Sequence, residues 1–132
     1  MASIHIDVQQ IYRIPALDIA TVRNFAQSYL KEQKFGQSHH IECEIRFVDS
    51  DTIHQLNARF REKNTSTDVL SFPLWDKPQK TLRDAPLHIG SIVINGETIQ
   101  NGARINHRSV TSHVCVLIKH SIRHLMGRHH SE

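Results

Sequence analysis

The sequence predicts one domain of the α/β or α+β class with about four strands. Three observations support this prediction: segments whose polarity alternates as in strands, segments whose apolar residues recur at helical spacing, and a length that suits a single domain. The chain has 132 residues, so we expect one domain over residues 1–132 with little room for a second. Hydrophobic residues make up 39% and charged residues 22%, as is ordinary for a globular protein.

The first third of the chain predicts a strand and a helix. Ile4, Ile6 and Val8 alternate with polar residues, which is typical of a half-buried strand. Apolar residues then recur at helical spacing over residues 16–33, and Gly36 follows as a helix breaker.

The middle of the chain predicts two further strands around a short helix. The segment "HIECEIRFVD", residues 40–49, alternates regularly and indicates a second strand. Ser50 or Asp51 is a suitable cap for a helix that ends at about Ala58. The short apolar run Val69–Pro73 indicates a third strand, with its proline at the end where the strand need not continue.

The last third predicts a loop, a strand and two helices. Residues 74–86 are polar with two prolines, and the apolar segment around 92–94 indicates the fourth strand. A short helix is expected to end near Gly102. A long helix is expected over residues 110–126, with Gly127 as its left-handed C-terminal cap.

Charge and cysteine content limit the function classes. The net charge of +3, with eleven histidines besides, is compatible with an anionic partner such as RNA and is weak evidence alone. Cys43 and Cys115 lie in apolar stretches, which indicates buried thiols in a reducing compartment. The N-terminus lacks the features of a secretory signal, and no apolar run approaches the ~20 residues that span a bilayer. We therefore expect a cytoplasmic protein with no membrane partner.

The C-terminal segment "KHSIRHLMGRHHSE" predicts a metal site. A helix places His120 and His124 on one face, one turn apart. Gly127 would end the helix and let the chain reverse, so that His130 returns to the same face as a third ligand. Zinc with three protein ligands keeps a fourth position for a water whose pKa it lowers to ~7. The spacing therefore predicts a catalytic zinc site at the end of the last long helix.

Less specific interpretations of these histidines stay open. A single histidine pair at this spacing is more often solvated surface, and a chain with eleven histidines produces such pairs by chance. His129 competes with His130 as the third ligand. His113 falls on the same helical face and could support a ligand, but a simple polar residue near the helix start is at least as well supported.

The histidine spacing also matches the metzincin zinc peptidases. Their motif, His-Glu-x-x-His-x-x-Gly-x-x-His, has a glutamate beside the first ligand as general base. Ser121 occupies that position here and cannot take the proton. A zinc peptidase is therefore the least favoured hypothesis for this site.

Three sequence blocks follow one another along the chain: "LNARFREKNTSTDVLSFP" (residues 56–73), "HIGSIVIN" (88–95) and "HSIRHLMGRHH" (120–130). They resemble the YbeY family of bacterial and organellar endoribonucleases, which mature ribosomal RNA, and their order and spacing fit from about residue 40 to the end. The matching positions are Asn57, Phe60, Arg61, Thr67–Pro73, Gly90, Ile92, Ile94, His120, His124, Leu125, Gly127 and His130.

The resemblance implies a fold, a site and an activity. The fold is a four-stranded mixed sheet with surrounding helices, and His120, His124 and His130 hold one zinc ion. Arg61 matches the family's invariant arginine, which faces the metal cleft; a guanidinium binds phosphate oxygens in a bidentate way and would stabilise a phosphorane-like transition state. The activity is hydrolysis of single-stranded RNA, chiefly rRNA, in rRNA maturation and ribosome quality control. Ribosomal proteins or an assembly GTPase are further candidate partners.

Several positions depart from the family pattern. Ser91 replaces an aspartate, Ser121 a glycine, Arg123 a leucine, and Arg128-His129 a Tyr-Asp pair. If the lost acid oriented a ligand, the metal affinity would fall by ~10- to 100-fold. The substitutions at positions 91, 121 and 129 support a second hypothesis, a non-catalytic ribosome-assembly factor with a structural metal. An exposed three-histidine site also binds nickel or copper, and copper more tightly.

Overall fold

Strands and helices alternate through the first part of the chain, after which two consecutive strands precede two consecutive helices. The computed structural model describes residues 3–33, 40–61, 67–73 and 87–126, without the side chains of Arg61 and Leu87, and within these ranges the chain forms four strands and four helices. The elements are β1 (Ser3–Gln10), α1 (Ile19–Glu32), β2 (His40–Val48), α2 (Ser50–Arg61), β3 (Val69–Pro73), β4 (Leu87–Asn95), α3 (Gly96–Ile105) and α4 (Val110–Leu125). The predicted class and the predicted number of strands are confirmed. The predicted loop at 74–86 lies outside the described residues.

The described strands form one mixed sheet in the order β1-β2-β4-β3. β1, β2 and β4 are parallel, whereas β3 runs antiparallel to β4. The sheet is therefore mixed, as the family resemblance implied. β3 lies at one end of this strand order, where the proline of its last residue is tolerated.

The two faces of the sheet are covered differently. One face is apolar and packs under α1 and α4 in a large core, to which β2 contributes Ile41, Cys43, Ile45 and Phe47. Each such fully buried aliphatic or aromatic side chain contributes about 1.5–3 kcal/mol relative to an exposed one. The other face packs against α2 through a smaller cluster of Val48, Ile53, Leu70 and Val93. No helix among the described residues is long and apolar enough to cross a membrane.

The starts of α1 and α2 differ from the sequence prediction because aspartates set them. Ala16, the predicted first residue of α1, has a φ of 66°, which is incompatible with a right-handed helix. α1 begins at Ile19 instead, because the Asp18 carboxylate accepts hydrogen bonds from the backbone N–H and hydroxyl of Thr21. In α2 the cap is Asp49, which accepts a hydrogen bond of 2.8 Å from the Thr52 N–H. The predicted cap, Ser50 or Asp51, was wrong.

The ends of two helices also differ from the prediction. α2 continues to Arg61, beyond the predicted end near Ala58. α3 continues to Ile105 and so passes through Gly102, its predicted end. Gly102 is needed inside the helix because a Cβ there would lie 2.8 Å from the His113 Nε2 of α4. Gly102 therefore allows α3 and α4 to approach closely, and it does not end α3.

Candidate metal centre

The exposed flank of α4 carries the two histidines of the predicted metal site. His120 and His124 lie in the last turns of the helix, both exposed, while Ile118, Ile122 and Leu125 are buried. The centroids of the two imidazole rings are 5.9 Å apart, and the ring planes are tilted by 33°. Two imidazoles on one zinc ion, with Zn–N bonds of about 2.0–2.1 Å, place their centroids roughly 5 to 6 Å apart. The donor set and its spacing therefore fit a metal ion.

The end of α4 also favours positive charge. The last carbonyl groups of a helix carry its partial negative charge, which stabilises a nearby cation. In α4 the backbone N–H of Met126 closes the helix on the carbonyl groups of Ile122 and His124. A cation held by the two histidines would therefore lie at the favourable end of the helix dipole.

The third predicted ligand, His130, lies outside the described residues, as do Gly127 and His129. Across the described ranges, no group of three histidine, cysteine or acidic side chains is arranged to hold a metal ion. The structure thus places two of the three predicted ligands, and the complete zinc site stays a prediction.

Gly90 allows the end of α4 to pack closely on the sheet. It has a φ of 147° and pairs with Pro73 of β3. A Cβ at this position would collide with the Phe72 carbonyl oxygen and would come within 2.8 Å of the Leu125 side chain. Only glycine fits both the backbone conformation and the space. We call this place, where Phe72 and Pro73 pair with Ser91 and Gly90, the Gly90 corner.

The end of α2 reaches the same corner from the other face of the sheet. The Phe60 ring packs edge-on against the Phe72 ring, with centroids 5.8 Å apart and planes at 81°. Arg61, the predicted phosphate-binding residue, follows as the last residue of α2, and its side chain lies outside the described atoms. The helices that carry Arg61 and His124 therefore both end at the Gly90 corner, although about 60 residues separate them in sequence.

The family model described as "Endoribonuclease YbeY" matches residues 6–132 of the chain. The chain belongs to this family. Relatives named Endoribonuclease YbeY include one from Picosynechococcus sp., 33% identical over 90% of this chain and 76% of the relative. Another, from Acinetobacter baumannii, is 33% identical over 96% of this chain and 80% of the relative. The family resemblance in the sequence is thereby confirmed.

Some relatives are considerably longer than the matched region. A YbeY protein from Psychromonas ingrahamii is 38% identical over 74% of this chain, and the match spans 60% of the relative; for those from Dichelobacter nodosus and Prochlorococcus marinus the match spans 57% and 46%. The solution structure of TM1509 from Thermotoga maritima superposes on 92% of this chain and 72% of that protein with a TM-score of 0.58. It is 21% identical and shares the fold.

The YbeY block Thr67–Pro73 anchors β3 to the start of α3. The Asp68 carboxylate accepts a 2.8 Å hydrogen bond from the Thr98 hydroxyl, and its carbonyl accepts one from the Asn95 N–H. The Asn95 side chain in turn donates to the Thr67 carbonyl. The Thr-Asp pair of this block therefore has a structural role at the end of the sheet opposite the Gly90 corner.

Ser91, which replaces the aspartate typical of YbeY proteins, belongs to a polar network on the α2-facing side of the sheet. Its hydroxyl donates a 2.9 Å hydrogen bond to Glu44, whose other carboxylate oxygen pairs with Arg46 at 3.0 Å. An aspartate at position 91 would place a second carboxylate beside Glu44. Sequence reasoning missed this network, because the pairing of β2 with β4 depends on a crossover that no local pattern encodes.

Ser121, which replaces the YbeY glycine, points into the core and not toward the ligands. Its side chain is 2% exposed, and its hydroxyl has no hydrogen-bond partner among the described atoms. The general base of a metzincin would have to reach the exposed flank of the helix, where His120 lies. A residue at position 121 of this fold faces away from that flank, so the peptidase hypothesis loses its remaining support.

His113 lies in a different environment from the two candidate ligands. It is 6% exposed, packs against Gly102, and its Nδ1 lies 3.4 Å from an Arg108 nitrogen. Burial, with a smaller contribution from Arg108, lowers the pKa of His113 below its ordinary value. Its contacts with α3 match the interpretation as a packed polar residue near the helix start.

Proposed function

We propose that the chain is a zinc-dependent, single-strand-specific endoribonuclease that acts in rRNA maturation and ribosome quality control, with residues 1–132 as one catalytic domain. The observation that carries this proposal is the pair of exposed histidines at the end of α4, with ring centroids 5.9 Å apart. Membership of the YbeY family supports the reaction class, and single-stranded RNA, chiefly rRNA, is the proposed substrate.

The site would be assembled from two helix ends. His120, His124 and His130 would hold one zinc ion, which supplies a Lewis acid for a phosphodiester oxygen and an activated water when bound. Arg61, at the last position of α2, would bind the non-bridging phosphate oxygens with its guanidinium and neutralise the charge that develops on them. The carbonyl end of α4 favours the positive charge in this place.

Basic side chains support RNA as the partner. Arg123 is exposed on α4 beside the histidines, and Arg59 is exposed on α2 just before the candidate arginine. Such a distribution attracts a phosphate backbone without reading its sequence. Ribosomal proteins or an assembly GTPase are proposed as further partners on the ribosome whose RNA would be the substrate.

A reducing compartment fits the thiols, and we place the protein in the cytoplasm. Cys43 and Cys115 are both free of disulfides. Burial raises the pKa of the Cys43 thiol to about 12, so it stays protonated and inert.

Cleavage of a labelled single-stranded rRNA fragment by the zinc-loaded chain tests the proposal. We expect cleavage that a chelator abolishes and that falls by at least about 100-fold in His124→Ala, because a ligand matters at least as much as the groups that orient ligands. Arg61→Ala should also lose cleavage while keeping its fold. His5→Ala, an exposed histidine on β1, is the matched control and should cleave normally. Equal, weak cleavage by all four proteins would indicate a contaminating nuclease and contradict the proposal.

The second candidate is a non-catalytic ribosome-assembly factor whose metal is structural. It is favoured by Ser91, whose hydroxyl is bound to Glu44 where the family has an aspartate. Binding and cleavage of the same RNA under the same zinc-loaded conditions separate the two candidates. Tight binding without turnover would favour the assembly factor.

A further inference from the structure

Phe60 is an exposed aromatic side chain that the proposed reaction does not use. It is 58% exposed at the end of α2, directly before Arg61. The ring is not loose on the surface, because Phe72 of β3 packs against it edge-on at 5.8 Å. A ring held in one orientation loses little conformational freedom when a ligand stacks on it.

The side chain of Arg59 lies beside the Phe60 ring. The guanidinium carbon of Arg59 lies 5.9 Å from the Phe60 ring centroid. Aromatic rings and guanidinium planes are the two surfaces on which proteins stack unpaired bases. The positive charge of Arg59 would also attract the backbone phosphates on either side of a stacked base.

A depression lies beside this pair on the outer surface of α2. It has a volume of about 450 Å³ and is lined by Thr52, Gln55, Leu56, Ala58 and Arg59. Gln55, one turn before Arg59, offers a donor and an acceptor to an RNA strand, while Leu56 and Ala58 offer apolar contact.

The position of the ring relates it to the candidate metal centre. Phe60 contacts Phe72 at the Gly90 corner, and Leu125 of α4 reaches the same corner beside His124. Lys119, in contrast, packs over Tyr29 of α1, on the other flank of α4. An RNA strand whose phosphate lay between His124 and the end of α2 would carry its neighbouring nucleotide toward Phe60.

We propose that Phe60 and Arg59 form a stacking subsite for an unpaired nucleobase of the RNA strand next to the cleaved phosphate. The subsite rests on the proposed function, because it assumes that RNA occupies the metal centre. Stacking on an aromatic ring tolerates any base, so the subsite contributes affinity and selects single strands, whose bases are available. Paired bases in a duplex cannot reach such a ring without unstacking.

The test is the affinity of the zinc-loaded chain for a short fluorescent oligouridylate, measured by anisotropy, with the RNA checked for integrity after each titration. Phe60→Leu should weaken binding by about tenfold, as expected for the loss of one stacked base. Phe60→Tyr keeps an aromatic face and should restore the affinity. Tyr12→Leu is the matched control, because Tyr12 is an exposed aromatic residue beside Gly96, at the opposite end of the sheet.

Two further measurements make the result decisive. Thermal unfolding of each variant shows whether Phe60→Leu keeps its fold. A ribose-phosphate strand that lacks bases should bind wild type and Phe60→Leu equally. Equal oligouridylate affinity of folded Phe60→Leu and wild type would overturn the subsite.

The outcomes also separate this inference from the proposed function. Cleavage that depends on His124, together with unchanged affinity in Phe60→Leu, would overturn the subsite alone. Weaker binding in Phe60→Leu without any cleavage dependent on His124 would support the base-binding subsite and contradict the nuclease.

Discussion

The two ends of α4 hold histidines in opposite environments. His113, near the start, is buried against α3 and Arg108, and burial lowers its pKa. His120 and His124, near the end, are exposed and face each other across one helical turn. The same residue type on one helix is therefore packed in the fold at one end and exposed at the other, where we propose that it binds the metal. A buried imidazole such as that of His113 cannot bind an ion from solvent, whereas an exposed one can.

Removal of the buried histidine should give the largest effect on stability. We expect His113→Ala to lower the free energy of unfolding by about 2 kcal/mol, since it leaves a cavity beside Gly102 and removes the contact with Arg108. Urea unfolding in the presence of a chelator measures this change. His120→Ala, at an exposed position, is the matched control and should stay within about 0.5 kcal/mol of wild type. Equal losses in the two variants would remove the distinction between the ends of α4.

A smaller effect of opposite sign on the free energy of unfolding is expected at Ser121, which is buried between the two exposed histidines near the end of α4. Its buried hydroxyl lacks a described partner, and leaving such a group unsatisfied costs about 1–3 kcal/mol. Alanine removes that cost and has the higher helix propensity. Ser121→Ala should therefore stabilise the chain by about 1 kcal/mol, seen as a higher urea midpoint with an unchanged slope. Ser112→Ala, exposed on the same helix, should change little. A lower midpoint for Ser121→Ala would show that the hydroxyl has a stabilising partner.

The smallest expected effect is the change of the free energy of unfolding with pH that results from the protonation of His113. Its folded pKa lies below the ordinary 6.5, mainly through burial and then through Arg108, while Asp68 opposes the shift. The unfolded chain therefore binds a proton more readily, so this group costs stability as pH falls through 6.5 and the loss levels off below the folded pKa. The stability gap between wild type and His113→Ala should narrow between about pH 7 and pH 5. If the difference in unfolding free energy between wild type and His113→Ala grew as the pH fell, the lowered pKa of His113 would be contradicted.

Much of the fold was predictable because local patterns carry it. Alternation over residues 40–49 predicts β2, and helical spacing over 110–126 predicts α4, since each buries one continuous apolar face. The start of α1 was not predicted correctly, because the apolar pattern extends back to Ala16 while the φ of that residue and the Asp18 cap set the boundary. Boundaries depend on single contacts and are weaker signals than periodicity.

The site was predictable only in part, because it is assembled by tertiary structure. The spacing of His120 and His124 follows from the helix itself. The position of the end of α2, which carries Arg61, at the Gly90 corner depends on the strand order β1-β2-β4-β3, which no local pattern encodes. The hydrogen bond from Ser91 to Glu44 depends on the register between two strands distant in sequence. The predicted roles of His130 and of the Arg61 side chain stay predictions.

A zinc titration of three proteins tests the central claim most directly. Wild type, His113→Ala and His124→Ala are titrated by calorimetry at a temperature where all three are folded. We predict that one zinc ion binds wild type and His113→Ala with similar affinity, and that His124→Ala binds at least about 100-fold more weakly. Equal zinc affinity in wild type and His124→Ala, or a loss in His113→Ala as large as that in His124→Ala, would contradict the assignment of the metal centre to the end of α4.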